Sequence, residues 1–175
     1  MKTLSKLISV VAMALVCTTV CAQTKDFRSP GYKGSISLMD QYGVWAGLET
    51  SHGLMFDRHN YLGLGMNASV CLPKLDETPP VFSNFFVDYH NYLFDKNSTP
   101  VLGVKAGYMT ALNSKKTNGW RFTQAVFVEP NIGWSWAMKN GCGFTTNLGA
   151  AFYKPVGHSS TNLVVMPKLS LSFEF

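Results

Sequence analysis

The chain has 175 residues, of which 46% are hydrophobic and 14% are charged, and its formal net charge is +5 at pH 7. This length suits one domain preceded by a short leader segment. The positive charge is mild and forms no run or stripe of lysine and arginine, so the sequence gives no support for nucleic-acid binding.

The first segment, residues 1–22, is predicted to be a secretory signal peptide. Lys2 and Lys6 precede an apolar run over residues 7–16, and small residues at positions 20–22 provide a cleavage site. The apolar run is too short for a helix that spans a membrane. Removal of this segment lowers the formal charge from +5 to +3.

Residues 23–175 are predicted to form one all-β domain of eight strands. Segments of alternating or β-rich residues are separated by turn residues, and none shows helical periodicity. The predicted strands are 32–39, 44–56, 61–72, 81–94, 101–112, 120–138, 142–153 and 163–175.

The connections between these strands alternate in length. The short turns are 57–60, 95–100 and 139–141, and the longer polar loops are 73–80, 113–119 and 154–162. Residues 40–43 are an exception, because a loop is expected there and the chain allows only a small hairpin. The pattern is typical of an eight-stranded antiparallel up-and-down transmembrane β-barrel with both chain ends on the periplasmic side.

Side-chain alternation indicates which face of each strand meets lipid. In the fifth strand Leu102, Val104 and Ala106 share one face, and Lys105 lies on the other. A transmembrane barrel places the apolar face outward and the polar face inward. A soluble periplasmic carrier with an apolar cavity remains an alternative, and it requires the opposite arrangement.

Three tryptophans of the sixth predicted strand share the outward face. Fourteen residues separate Trp120 from Trp134, which at about 3.3 Å per residue and a tilt of about 45° span about 33 Å. With Trp136 they are predicted to form aromatic girdles at the two membrane interfaces. Pro130, on the same face, is expected to mark a bulge.

The inward face carries charges of both signs, four basic and four acidic. The interior of an eight-stranded barrel is just wide enough for side chains, so these charges are predicted to pair in a polar plug that leaves no open pore. Lys105 and Glu129, on neighbouring strands, are the first expected pair. The predicted interior network comprises Lys33, Glu49, Asp88, Lys105, Arg121, Glu129, Lys168 and Glu174.

The topology predicts that no disulfide joins Cys71 and Cys142. Cys71 ends the third predicted strand and Cys142 begins the seventh, so the two lie at opposite rims of the barrel, more than about 20 Å apart. A disulfide requires Cα atoms within about 7 Å.

The alternating residues 169–175, the glycine-rich strand 61–67 and the Thr50-Ser51-His52-Gly53 segment resemble the small eight-stranded outer-membrane barrels of Gram-negative bacteria, the OmpA/OmpX-like and outer-membrane-protein β-barrel families. The resemblance implies a monomer in the bacterial outer membrane, surrounded by lipids and lipopolysaccharide. It also implies insertion by the barrel assembly machinery, for which Leu171, Phe173 and Phe175 would be the assembly signal. Fold alone does not determine function.

The leading hypothesis is a non-enzymatic protein with a structural or surface-interaction role, whose loops 73–80 and 154–162 contact the surroundings. A lipid A-modifying enzyme is the alternative, because such enzymes occur among small outer-membrane barrels. The Ser/His neighbours that would serve it are His158 with Ser159 and Ser160, and Ser51 with His52. The four histidines show no metal-ligand spacing, and no cofactor is predicted.

Overall fold

The computed structural model describes residues 28–72, 80–112, 123–138, 141–157 and 163–175. These residues form a closed barrel in which each strand pairs antiparallel with the next and β8 returns to β1. The predicted fold class is therefore confirmed. The strands are β1 Gly31–Gln41, β2 Trp45–Met55, β3 Asn60–Cys71, β4 Val81–Tyr92, β5 Ser98–Ala111, β6 Gln124–Ala137, β7 Gly143–Pro155 and β8 Val164–Glu174.

The two ends of the barrel differ in their connections. β1 begins and β8 ends at what we call the turn end, where short turns join β2 to β3, β4 to β5 and β6 to β7. The opposite end, the loop end, has the β1–β2 hairpin and three longer connections, most of whose residues lie outside the described ranges. The predicted signal peptide, Trp120 and Arg121 also lie outside those ranges.

Side-chain burial follows the predicted alternation. In β5, Lys105 is 4% exposed, whereas its neighbour Val104 is 38% exposed and Leu102 is 45% exposed. The apolar side chains therefore face outward and the charged ones inward. This arrangement is opposite to the one that the soluble-carrier alternative requires. The described residues contain no helix long and apolar enough to cross a membrane.

The inward glycines make room for side chains and also allow strands to approach closely. Asn131 and Asn147 fill the space beside Gly103 and Gly133, whereas the main chain of the neighbouring strand comes close to Gly107. At these positions a Cβ atom would collide with uncharged groups. These three glycines therefore serve sheet curvature and amide packing.

Pro130 does not produce the expected bulge. Between β6 and β7 the pairing runs to Val128 opposite Phe152 and resumes at Asn131 opposite Gly149, so three residue steps on one strand match three on the other. A bulge would place an extra residue on one strand. Because proline has no N–H to donate, the ladder is interrupted at this point. The register of β6 against β7 is nevertheless the same on both sides of the interruption.

The β1–β2 connection is the small hairpin that the sequence predicts. Tyr42 and Gly43 both have left-handed backbone angles, with φ values of 62° and 65°. Two such residues form a type I′ turn, whose twist matches that of paired strands. The Gly43 N–H donates a hydrogen bond of 3.1 Å to the Asp40 carboxylate, which further fixes the turn.

Cys71 and Cys142 are both buried, and no disulfide joins them, as predicted. Cys71 is the last residue of β3 at the loop end, and Cys142 precedes β7 at the turn end. Cys142 is buried, although alternation from the exposed Phe144 would place it on the outward face. The residue stands before the strand begins, where strict alternation does not apply.

Candidate functional site

The middle of the barrel holds a charged cluster, which we call the central network: Glu49, Lys105, Glu129 and Lys168. Glu49 accepts from both lysines, from Lys105 in a very short contact and from Lys168 at 2.7 Å. The Lys168 ammonium also donates to Glu129 at 2.9 Å. These four residues come from β2, β5, β6 and β8, so their ion pairs cross the lumen.

The expected first pair, Lys105 with Glu129, is not the pair that the structure forms. Lys105 and Glu129 are directly opposite each other in the pairing of β5 with β6, as expected for residues on neighbouring strands. The Lys105 ammonium instead reaches Glu49 on the far wall, and Glu129 pairs with Lys168. The long lysine side chain spans the narrow lumen, so a lysine can pair with an acidic residue on the opposite side as well as with one on a neighbouring strand.

A second ion pair lies inside the turn end. Lys33 and Glu174 are 2.9 Å apart, and the Lys33 ammonium also donates to the Tyr92 hydroxyl at 2.8 Å. The same ammonium lies 4.3 Å from the centre of the Tyr92 ring. Lys33 on β1 and Glu174 on β8 belong to neighbouring strands, and the hydrogen bond to Tyr92 on β4 links them to the opposite wall.

Asp88 and His90 both point inward from β4, and the His90 Nε2 atom lies 3.0 Å from the Asp88 carboxylate. The Tyr61 ring lies beside His90, and its hydroxyl is 2.9 Å from the Ser51 hydroxyl. All of these groups are buried in the barrel interior. Among the described residues, no group of three or more His, Cys, Asp and Glu side chains is arranged to hold a metal ion.

Apolar layers lie inside the barrel on both sides of the central network. The layer at the turn end consists of Met55, Tyr61, Tyr92 and Val101. The layer at the loop end consists of Trp45, Cys71, Phe82, Phe86, Met109, Ala125, Phe127, Ala151 and Tyr153. Sequence analysis missed these layers, although aromatic residues at inward positions near the strand ends were a visible signal.

A cavity of about 30 Å³ remains within the loop-end layer. Its lining combines aromatic and thioether side chains with amides and a hydroxyl: Gln41, Trp45, Ser69, Phe82, Asn84, Met109, Tyr153 and Met166. The Asn84 Oδ1 atom is buried without a hydrogen-bond partner. A volume of this size holds one or two water molecules, each of which needs about 10–15 Å³.

The outward surface carries aromatic side chains near the turn end. Trp134 and Trp136 are each 43% exposed, and the Trp134 indole N–H donates to the Ser98 hydroxyl at 2.6 Å. Phe173 packs between Phe144 and Phe175, with ring centres 5.3 and 6.3 Å away. Leu171 is exposed on the same outward face of β8. These residues include the described part of the predicted girdle and the predicted assembly signal.

Ser51 and His52 cannot act together, because they lie on opposite faces of β2. Ser51 is buried in the lumen, and His52 is exposed on the outer surface. The aliphatic hydroxyl that His52 contacts belongs to Thr50, and it lies 2.9 Å from the His52 Nε2 atom. The other Ser/His candidates, His158, Ser159 and Ser160, lie outside the described residues.

In the outward cluster around His52, the imidazole lies between the Thr50 hydroxyl and the Tyr32 phenol. The His52 Nδ1 atom lies 2.6 Å from the Tyr32 hydroxyl. However, the Thr50 hydroxyl donates to the Ser35 carbonyl at 2.9 Å, so its proton points away from the imidazole. A nucleophilic hydroxyl must instead give its proton to the base. The cluster is therefore built for positioning side chains and lacks an activated nucleophile.

Outside the membrane-facing strands, hydrogen bonds fix the turns at the turn end. The Asp57 carboxylate accepts from the Asn60 side chain and from the main-chain N–H groups of His59 and Asn60. These bonds stabilise the ionised form and hold the pKa of Asp57 below its ordinary value. Arg58 forms an exposed ion pair of 2.7 Å with Asp95 of the next turn.

No family model matches the chain, and no curated protein sequence matches it. Solved structures that are similar to it include the following two. Neisserial surface protein A (NspA) superposes with a TM-score of 0.58 at 11% identity, covering 82% of this chain and 92% of that one. The outer membrane enzyme PagL superposes with a TM-score of 0.51 at 13% identity, covering 82% and 98%.

The chain has the fold of the small eight-stranded outer-membrane β-barrels. At identities of 11% and 13%, the similarity shows the fold and identifies no functional residue in this chain. A surface protein and an enzyme both use this barrel, so enzymatic status must be argued from the residues of this chain.

Proposed function

We propose that the protein is an integral outer-membrane barrel without enzymatic activity, which has a closed interior and acts structurally or through its loop-end surface. One observation carries the proposal: Glu49, Lys105, Glu129 and Lys168 pair across the lumen. The outward side chains around the same strands are apolar. This distribution suits a lipid environment outside and a filled interior.

Two further features support a closed interior. The described inward charges are each no more than 5% exposed, so water has little access to them. Apolar layers at both ends flank the central network. An ion passing along the axis would have to break the cross-lumen pairs and cross both layers, where its hydration is lost.

The outer surface supports the proposed location and partners. Outward leucines, valines and aromatic rings would contact outer-membrane lipids, and the loop end would meet the lipopolysaccharide leaflet. Leu171, Phe173 and Phe175, on the outward face of β8 and just after it, would be read by the barrel assembly machinery. A monomer is proposed because the barrel closes on itself and leaves no sheet edge.

Conductance in planar lipid bilayers tests the closed interior. Protein that has been refolded and shows the heat-dependent gel shift of a folded barrel is expected to give no steady single-channel current. A porin in the same bilayer is the positive control, and the unfolded chain is the negative one. A steady current that requires the folded protein would contradict the proposal.

The enzymatic alternative rests on His158, Ser159 and Ser160. Replacement of all three by alanine is expected to leave the lipid A mass spectrum of producing cells unchanged, because the proposed role needs no nucleophile. The comparison includes cells with the wild-type protein and cells without it. A lipid A species that appears with the wild-type protein and disappears with the triple variant would establish the enzyme.

A further inference from the structure

The pairing of β1 with β8 is the shortest in the barrel. It aligns seven residues of each strand, 35–41 with 168–174, whereas every other neighbouring pair aligns eleven or more. This seam closes the barrel, and main-chain hydrogen bonds between Gly34 and Phe175 extend its short ladder. Side chains that reinforce the seam are therefore of particular importance for keeping the barrel shut.

We propose that Glu174 and Phe175 form a two-sided clasp that locks this seam at the turn end. Successive residues of a strand point to opposite faces, so one of the two can act inside the barrel and the other outside. Glu174 is buried in the lumen, and Phe175 lies on the outer surface.

The inner half of the clasp is the Lys33–Glu174 ion pair. It joins β1 directly to β8, and Tyr92 on β4 extends the contact to the opposite wall through hydrogen bonds to both charged groups. Because these groups are buried, loss of either charge would leave the other without its ion-pair partner. The inner half therefore resists separation of β1 from β8.

The outer half depends on Gly34 of β1. Gly34 and Phe175 exchange two main-chain hydrogen bonds of 2.8 and 2.9 Å, so they are directly opposite each other. The Phe175 ring lies over Gly34, and a Cβ atom at Gly34 would be only 2.7 Å from that ring. Gly34 does not have a left-handed backbone, so alanine would be opposed chiefly by the Phe175 ring, with the His52 Nδ1 atom next at 3.1 Å, and not by the main chain.

The Phe175 ring crosses β1 and reaches His52 on β2. The two ring centres are 6.3 Å apart in an edge-to-face arrangement. His52 is held from both sides, by the Tyr32 hydroxyl at Nδ1 and the Thr50 hydroxyl at Nε2. The outward polar cluster thus gives the ring a fixed surface to pack against, and β8 is tied to β2 as well as to β1.

A double-mutant cycle between Gly34→Ala and Phe175→Ala tests the clasp. The protein is refolded into lipid vesicles without the assembly machinery, and unfolding rates are measured by tryptophan fluorescence after dilution into denaturant. Gly34→Ala is expected to raise the unfolding rate about tenfold, because the added methyl displaces the ring. In the Phe175→Ala background the same change is expected to have almost no effect.

Phe144→Ala provides the matched background, since Phe144 is also outward and aromatic but packs on Phe173 and does not cover Gly34. There Gly34→Ala is expected to keep its full effect. Equal effects of Gly34→Ala in all three backgrounds would overturn the clasp and assign a general strand role to Gly34. If Gly34→Ala prevents refolding, restoration of refolding by Phe175→Ala supports the clasp.

A second cycle does not depend on Gly34. His52→Leu and Phe175→Ala are each expected to speed unfolding, and the double variant should unfold no faster than Phe175→Ala alone. Additive effects would show that the His52 and Phe175 rings act separately, which would overturn the outer half of the clasp. In the same assay Thr50→Val, which removes one hydrogen bond to His52, is expected to reproduce part of the His52→Leu effect.

Discussion

Replacement of Glu49 by glutamine is expected to lower the free energy of unfolding by about 3–5 kcal/mol. Glu49 is the acceptor for both Lys105 and Lys168 and is 3% exposed. The neutral amide would leave Lys105 without its ion-pair partner and Lys168 with Glu129 alone. Urea titration of the protein in lipid vesicles, followed by the heat-dependent gel shift, measures the loss.

Two control variants separate charge from packing. Glu129→Gln is expected to have a smaller effect, because Lys168 retains Glu49. The double variant Glu49→Leu with Lys105→Leu removes one acid and one base together and leaves Lys168 with Glu129. It should be more stable than Glu49→Gln, since replacing a buried pair by apolar residues is often neutral or favourable. If Glu49→Gln has the same free energy of unfolding as the wild type, the proposed role of the central network is contradicted.

Introduction of arginine at Val87 is expected to lower the free energy of unfolding by about 2–4 kcal/mol in a lipid bilayer. Val87 lies in the middle of β4, is 46% exposed and is paired with the outward residues Leu64 and Ala106. A charge at this depth would face hydrocarbon and lose its hydration. The measurement is the urea midpoint in vesicles that match the thickness of the outward apolar surface.

Leu93→Arg is the matched control. Leu93 is also exposed, but it follows β4 at the turn end, where the proposed membrane interface allows the charge to reach water. A loss of about 0–1 kcal/mol is expected there. Equal, small effects of Val87→Arg and Leu93→Arg would show that the outward surface does not face a bilayer, and would overturn the proposed location.

Much of the fold could be predicted from the sequence because the two faces of each strand differ so strongly. In β5, Lys105 stands between Val104 and Ala106, and the same alternation appears in β7. Short turns rich in Asp, Asn and Gly then gave the strand number and the order of connections. The strand boundaries differ by a few residues, since alternation often continues past the last ladder hydrogen bond.

The partners inside the barrel could not be predicted in the same way. Alternation shows that Glu49, Lys105, Glu129 and Lys168 point inward, but which of them meet depends on the diameter and shear of the closed barrel. Position on neighbouring strands therefore predicted an ion pair between Lys105 and Glu129, although Lys105 reaches across the lumen to Glu49. Only the three-dimensional closure determines these distances.

The outward cluster shows a second limit of sequence reasoning. Ser51 and His52 are adjacent in the sequence and were therefore a candidate Ser/His pair, yet adjacent residues of a strand point to opposite faces. The relevant spacing is two residues, which brings Thr50 to His52, and the remaining contacts come from β1 and from Phe175 after β8. Tyr32 is 20 positions from His52 and lies on the neighbouring strand, whereas Phe175 is more than 100 positions away and reaches His52 only because the barrel closes.

The β1–β2 hairpin makes the wall of the barrel uneven at the loop end. Three residues separate β1 from β2, whereas eight to twelve separate the other strand pairs that are joined there. Gln41 and Trp45, at the base of this hairpin, also border the small cavity in the loop-end layer. On this side the cavity is therefore bordered by strand residues, and only Tyr42, Gly43 and Val44 extend beyond them.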